Sequence, residues 1–157
     1  MNRYKTAKMF EAAARLGGIL GGADSALEER LAAFGMHLGT AFQLNDDVLD
    51  YSADEVDTGK HLGDDLAEGK PTLPLILVMQ KGSPEQAALV RSAIENGGRD
   101  DFAAVLAAIQ DTCALEETRR YAAAEAQLAI DAISTLPPSI FKDALLQLSD
   151  FAVRRNH

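Results

Sequence analysis

Asp46, Asp47 and Asp50 fall within five residues, Asp46-Asp47-Val48-Leu49-Asp50, behind Phe42-Gln43-Leu44-Asn45 and ahead of Tyr51. If this run is helical, Asp46 and Asp50 stand one turn apart, with β-carbons about 5–6 Å from each other. Asp47 lies beside them, and Gln43 sits one turn earlier on the same flank. Three carboxylates this close repel unless a cation lies among them. Mg²⁺ takes oxygen ligands, dehydrates reluctantly, and usually binds one or two carboxylates together with a substrate phosphate. The residue types therefore point to a metal-bridged phosphate site. The competing reading is a solvated acidic helix end. Against it, carboxylates near a helix C-terminus oppose the macrodipole at about 0.3–1 kcal/mol each.

The following loop, Thr58-Gly59-Lys60-His61-Leu62-Gly63-Asp64-Asp65-Leu66-Ala67-Glu68-Gly69-Lys70-Pro71-Thr72, is rich in glycine and carries two lysines. Glycine permits close backbone approach, and lysine is a point-charge partner for phosphate. Phe42-Gln43-Leu44 with the three aspartates, then Gly59-Lys60, then Gly63 through Pro74, resembles the second aspartate-rich region of trans-polyprenyl diphosphate synthases. The likeness is closest to long-chain members that make quinone side chains, such as the octaprenyl diphosphate synthases. Lys5-Thr6-Ala7 is similar to that family's Lys-Thr motif. The resemblance runs the whole length and is most specific over residues 42–74.

The resemblance implies the all-α isoprenoid synthase fold. It also implies Mg²⁺-dependent condensation of an allylic diphosphate with isopentenyl diphosphate, and homodimeric full-length members. Carried over by position, Asp46 holds a Mg²⁺, with Asp47 and Asp50 orienting its waters or binding directly. Lys5 and Lys60 contact the allylic diphosphate, and Gln43 and Thr6 stand near the reacting carbon. Lys70 matches a substrate-binding position, although Lys70, Asp64 and Asp65 also read as organisers of the loop. The family's first aspartate-rich motif, its earlier basic residues for isopentenyl diphosphate and its chain-length-setting residues have no counterpart here. Residues 1–157 are thus expected to form the C-terminal part of such an enzyme, without an internal boundary and without condensation activity of their own. A non-catalytic regulatory subunit and a terpene cyclase half are the alternatives. Three aspartates disfavour the cyclase, and their retention disfavours a subunit freed from chemistry.

The elements that must position these groups read as helices throughout. Met9, Ala13, Leu16 and Leu20 mark one face of a helix over residues 3–20, ended or tightly packed at Gly17-Gly18 and Gly21-Gly22. Ser25 with Glu28 suggests a capping box for a helix running to Tyr51, with Leu27, Leu31, Phe34, Leu38, Phe42 and Leu49 as its buried stripe. Asn45 falls in that stripe and needs a hydrogen-bond partner if buried. Gly35 and Gly39 cost this helix about 1 kcal/mol each relative to alanine. They imply either close helix contact or room for a ligand's tail. Further helices are expected from Thr72 to Met79, from Ser83-Pro84 with Gln86 to before Asn96, and over 101–112. Another spans 115–136 with Ala122, Ala126, Ala129, Ile133 and Leu136 on one face. A last helix after Ser139 bears Phe141, Leu145, Leu148 and Ala152. Strand-like alternation is absent, so the fold class is an all-α helical bundle.

Composition narrows the partners. The chain has 157 residues, is 47% hydrophobic and carries a formal charge of −9, which argues against nucleic acid or an anionic membrane surface. No apolar run is long enough to span a membrane and no signal peptide is evident. The single cysteine, Cys113, excludes an internal disulfide, fits a cytoplasmic setting and reads as a core residue. His37, His61 and His157 lack metal-ligand spacing. His37 reads as an ordinary helix residue and His61 as a weak ligand candidate. Arg154-Arg155 complement a helix C-terminus, while the family's C-terminal basic residues suggest a diphosphate contact.

Overall fold

The computed structural model describes residues 2–52, 62–98 and 100–155, and among these the chain forms helices and no strand. In chain order they are α1 (Asn2–Leu20), α2 (Ser25–Ser52), α3 (Asp64–Ala67), α4 (Leu73–Lys81), α5 (Pro84–Asn96), α6 (Phe102–Asp111), α7 (Ala114–Ala132) and α8 (Ile140–Arg154). They divide into two compact units. One contains residues 2–45 and 120–155, and the other residues 46–119.

The first unit is built on the contact of α1 with α2. A β-carbon at Gly35 would lie 2.3 Å from the Phe10 carbonyl oxygen, and one at Gly39 would lie 2.8 Å from the Ala7 Cα. Of the two accounts of these glycines, close helix contact is the one observed. It draws in the face of α1 bearing Ala7, Phe10, Ala14 and Gly18 and turns the expected face outward. Met9 is 68% exposed, Leu16 57% and Leu20 87%. Both faces of α1 are apolar, so periodicity finds a helix without saying which side is buried; the small residues decide it by permitting the nearer approach. The core of this unit joins Phe34, Leu38 and Ala41 to Ala126, Ala129, Ile133 and Ala152.

Several ends differ in detail from expectation. Asp24, not Ser25, caps α2, its Oδ1 accepting the Leu27 N–H at 2.8 Å. The α7 helix closes at Ala132 rather than 136, because the chain tightens ahead of Pro137 through bonds such as Leu136 N–H to Ile133 O at 3.1 Å. Its expected face is nonetheless buried at Ala122, Ala126, Ala129 and Ile133. On α8, capped by Ser139 as expected, the inward residues are Ser149 and Ala152, whereas Phe141 and Leu148 are exposed. Arg155 follows that helix. Its guanidinium lies 3.7 Å from the Phe42 ring centroid and donates to the Phe42 carbonyl at 3.2 Å. The Arg155 carbonyl accepts from Asn45 Nδ2 at 3.1 Å, which supplies the partner that buried Asn45 needed. His37 pairs with Glu125 at 2.7 Å.

In the second unit α4 packs on α5 and α6 around Leu66, Leu75, Val78, Val90, Val105 and Ile109. Ser83 and Gln86 form the anticipated capping box at the start of α5. Cys113 corrects the core assignment: it is exposed, with φ +51° at the left-handed junction between α6 and α7. A hydrophobic residue type does not fix its burial when the backbone turns there.

Candidate metal centre

The last two turns of α2 enter the second unit with Asp46 and Asp50 half-buried one turn apart. After residues 53–61, which lie outside the described residues, the chain returns to this same turn. The Gly63 N–H donates to the Asp50 carbonyl at 3.0 Å, and the Asp65 N–H donates to Asp50 Oδ2 at 3.2 Å. Gly63 has φ +78°, and a β-carbon there would lie 2.4 Å from the Phe102 ring, so glycine alone fits both demands. The one-turn helix α3 then leads to Lys70. The Lys70 ammonium pairs with Asp65 Oδ1 at 2.8 Å and Glu68 Oε2 at 2.7 Å. These pairs hold its pKa above the ordinary lysine range. Lys70 is thus tied into the loop it was expected to organise.

Acidic groups accumulate around Asp50. Burial foremost, then the charges of Asp65, Asp64 and Asp46, push its carboxyl up to about 6, against the opposing Asp65 N–H. A group in this state gains from a nearby cation. Among the described residues no set of three His, Cys, Asp or Glu side chains is grouped to hold a metal by itself. Asp46 and Asp50 have the donor type of a site in which one or two carboxylates are completed by phosphate oxygens, which is how Mg²⁺ is commonly bound.

Asp47 is placed differently. It is 3% exposed, and its Oδ2 accepts the N–H of Leu73, the first residue of α4, at 3.2 Å. It shares the buried face of Leu44, Val48 and Tyr51, whereas the expected stripe ran through Phe42 and Leu49, both half-buried. The burial of Leu44 and Val48 shows that the inward face turns along α2. That i+1 step was the sequence signal that Asp47 and Asp46 look different ways. Of the other anticipated site residues, Gln43 is half-buried on α2, Lys5 exposed and Thr6 half-buried on α1. Lys60 and His61 lie outside the described residues.

The polyprenyl synthetase family model matches residues 1–111, and the chain belongs to that family. Over 153 residues it is 50% identical to the octaprenyl diphosphate synthase of Escherichia coli strain K12, a match covering 97% of this chain and 47% of that protein. Among solved structures, the polyprenyl synthase of Caulobacter crescentus CB15, complexed with calcium and isoprenyl diphosphate, matches with a TM-score of 0.89 and 39% identity. That match covers 99% of this chain and 48% of the other. The geranylgeranyl pyrophosphate synthase of Corynebacterium glutamicum, complexed with isoprenyl diphosphate and magnesium, has a TM-score of 0.77 and 30% identity, over 89% of this chain and 41% of that one. The chain spans about half the length of the curated relatives it matches.

Proposed function

We propose that this chain supplies one of two metal clusters of a polyprenyl diphosphate synthase that joins an allylic diphosphate to isopentenyl diphosphate. The observation that carries the reading is the turn of α2 where Asp50 is crowded by Asp46, Asp64 and Asp65. Asp46 and Asp50 would hold Mg²⁺, which when bound neutralises a departing diphosphate and so lowers the barrier to forming an allylic cation. Lys5 and Lys60 would bind the allylic diphosphate, and Gln43 and Thr6 would face the reacting carbon. Lys70 would keep the loop in shape through Asp65 and Glu68. By analogy with the family, the chain corresponds to the C-terminal part of a homodimeric enzyme, acting in the cytoplasm.

Two measurements test this. Mn²⁺, as a spectroscopic substitute for Mg²⁺, is expected to bind in the presence of inorganic pyrophosphate and to bind about tenfold or more weakly to Asp46→Ala. Equal binding by both proteins would remove the metal assignment. Labelled isopentenyl diphosphate is not expected to be incorporated by the 157-residue chain alone, and measurable incorporation would count against the two-cluster reading.

A further inference from the structure

We infer that Asp47 is a positioning residue: its carboxylate fastens the start of α4 to the metal-bearing turn of α2 and so holds residues 62–72 against Asp50. The inference rests on the metal reading of Asp46 and Asp50 given above. Residues i and i+4 of a helix are about 40° apart around its axis, whereas i and i+1 are about 100° apart. Asp46 and Asp50 therefore share a flank, with Asp47 about 100° round from Asp46 and about 60° from Asp50, and what sets Asp47 apart is that it alone of the three is buried.

What Asp47 meets there is a helix N-terminus that needs an acceptor. The first N–H groups of a helix have no partner within it, and Thr72, at the N-cap of α4, makes no side-chain capping bond. Asp47 Oδ2 takes the Leu73 N–H, and its negative charge suits the positive end of the helix dipole. One turn on, the Tyr51 hydroxyl and Thr72 Oγ1 lie 3.3 Å apart, both residues buried. The strap from Gly63 to Leu73 is thus tied at both ends to α2: at its beginning to Asp50, through the N–H groups of Gly63 and Asp65, and at its end to Asp47 and Tyr51. Turning Asp47 toward a cation beside Asp46 would uncap α4 and release the strap. Asp47 acts on the metal site through the strap it holds beside Asp50.

Asparagine at position 47 keeps an acceptor oxygen but loses the charge, so Asp47→Asn separates the two roles. The test measures Mn²⁺ affinity with pyrophosphate together with hydrogen exchange at the Leu73 amide. Asp46→Asn and Asp50→Asn are expected to weaken Mn²⁺ about tenfold or more while leaving Leu73 protected. Asp47→Asn is expected to keep both Leu73 protection and Mn²⁺ affinity within about threefold, less than the loss typical of a direct ligand or its immediate support. Asp47→Ala is expected to expose the Leu73 amide and weaken Mn²⁺, with Asp47→Asn acting as the rescue. If Asp47→Asn weakens Mn²⁺ as much as Asp46→Asn while Leu73 stays protected, Asp47 is a ligand and the inference is overturned. If Asp46→Asn, Asp50→Asn and Asp47→Ala all bind Mn²⁺ like the parent chain, the metal reading falls and takes the positioning role with it. Should Asp47→Ala fail to fold, the comparison of Asp47→Asn with Asp46→Asn still decides.

Discussion

At the scale of single residues, the chemistry of this chain turns on how each carboxylate is surrounded. Asp50 has its carboxyl raised to about 6 from the ordinary 3.8, so the folded chain holds that proton more tightly than the unfolded one. Between about pH 4 and 6 the native state binds more protons than the unfolded state, and stability falls as pH rises through this window. Above it the cost is complete. Thermal melts without metal are therefore expected to show a decline across this interval that Asp50→Asn lacks. If Asp50 holds the cation as proposed, the same titration governs its binding, because a protonated carboxyl is a poor ligand. Mn²⁺ affinity should weaken as pH drops below about 6, a higher threshold than an unperturbed aspartate would give. A midpoint near 4 instead would mean that a raised Asp50 carboxyl does not control cation binding.

At the scale of elements, close backbone approach decides which faces meet. The contact of α1 with α2 at Gly35 leaves no room for a methyl group, since a β-carbon would sit 2.3 Å from the Phe10 carbonyl oxygen. Gly35→Ala raises intrinsic helix propensity by about 1 kcal/mol, yet it must push the two helices apart. Overpacking of this kind commonly costs about 1–3 kcal/mol. A net fall in the melting temperature is expected, and a rise would show that α1 yields easily. Glu at Met9, on the outward face of the same helix, should leave the melting temperature nearly unchanged. The comparison of these two variants reads directly which side of α1 is packed.

At the scale of the whole molecule, the chain carries apolar side chains that its own helices leave in contact with water. Met9, Leu16 and Leu20 follow one face of α1, and Phe141, Leu148 and Phe151 follow one face of α8. Each stripe has the spacing of a helix that packs on another helix. The chain matches relatives about twice its length. Light scattering is expected to show concentration-dependent self-association, reduced by Leu16→Glu together with Phe141→Glu. A monodisperse monomer at high concentration would show that these stripes are tolerated in water. Among the described residues no helix is long and apolar enough to cross a membrane.

Much of this was legible in the order of residues. Capping signals at Ser83-Pro84 and Ser139 and the stop at Pro137 act through neighbours a few positions away, so they mark helices before any packing is known. Asp46 and Asp50 likewise share a flank because a helix repeats every 3.6 residues. Tertiary contact settled what local spacing leaves equal. It chose the Ala7 and Phe10 side of α1 over the Met9 and Leu16 side, because only there do glycines on α2 admit a backbone. It exposed Cys113 at a left-handed turn, and it gave Asp47 the Leu73 amide while leaving Asp50 among other acids. A side chain's type and register come from the chain itself. Which partner it meets depends on segments far away in sequence, and only folding brings those together.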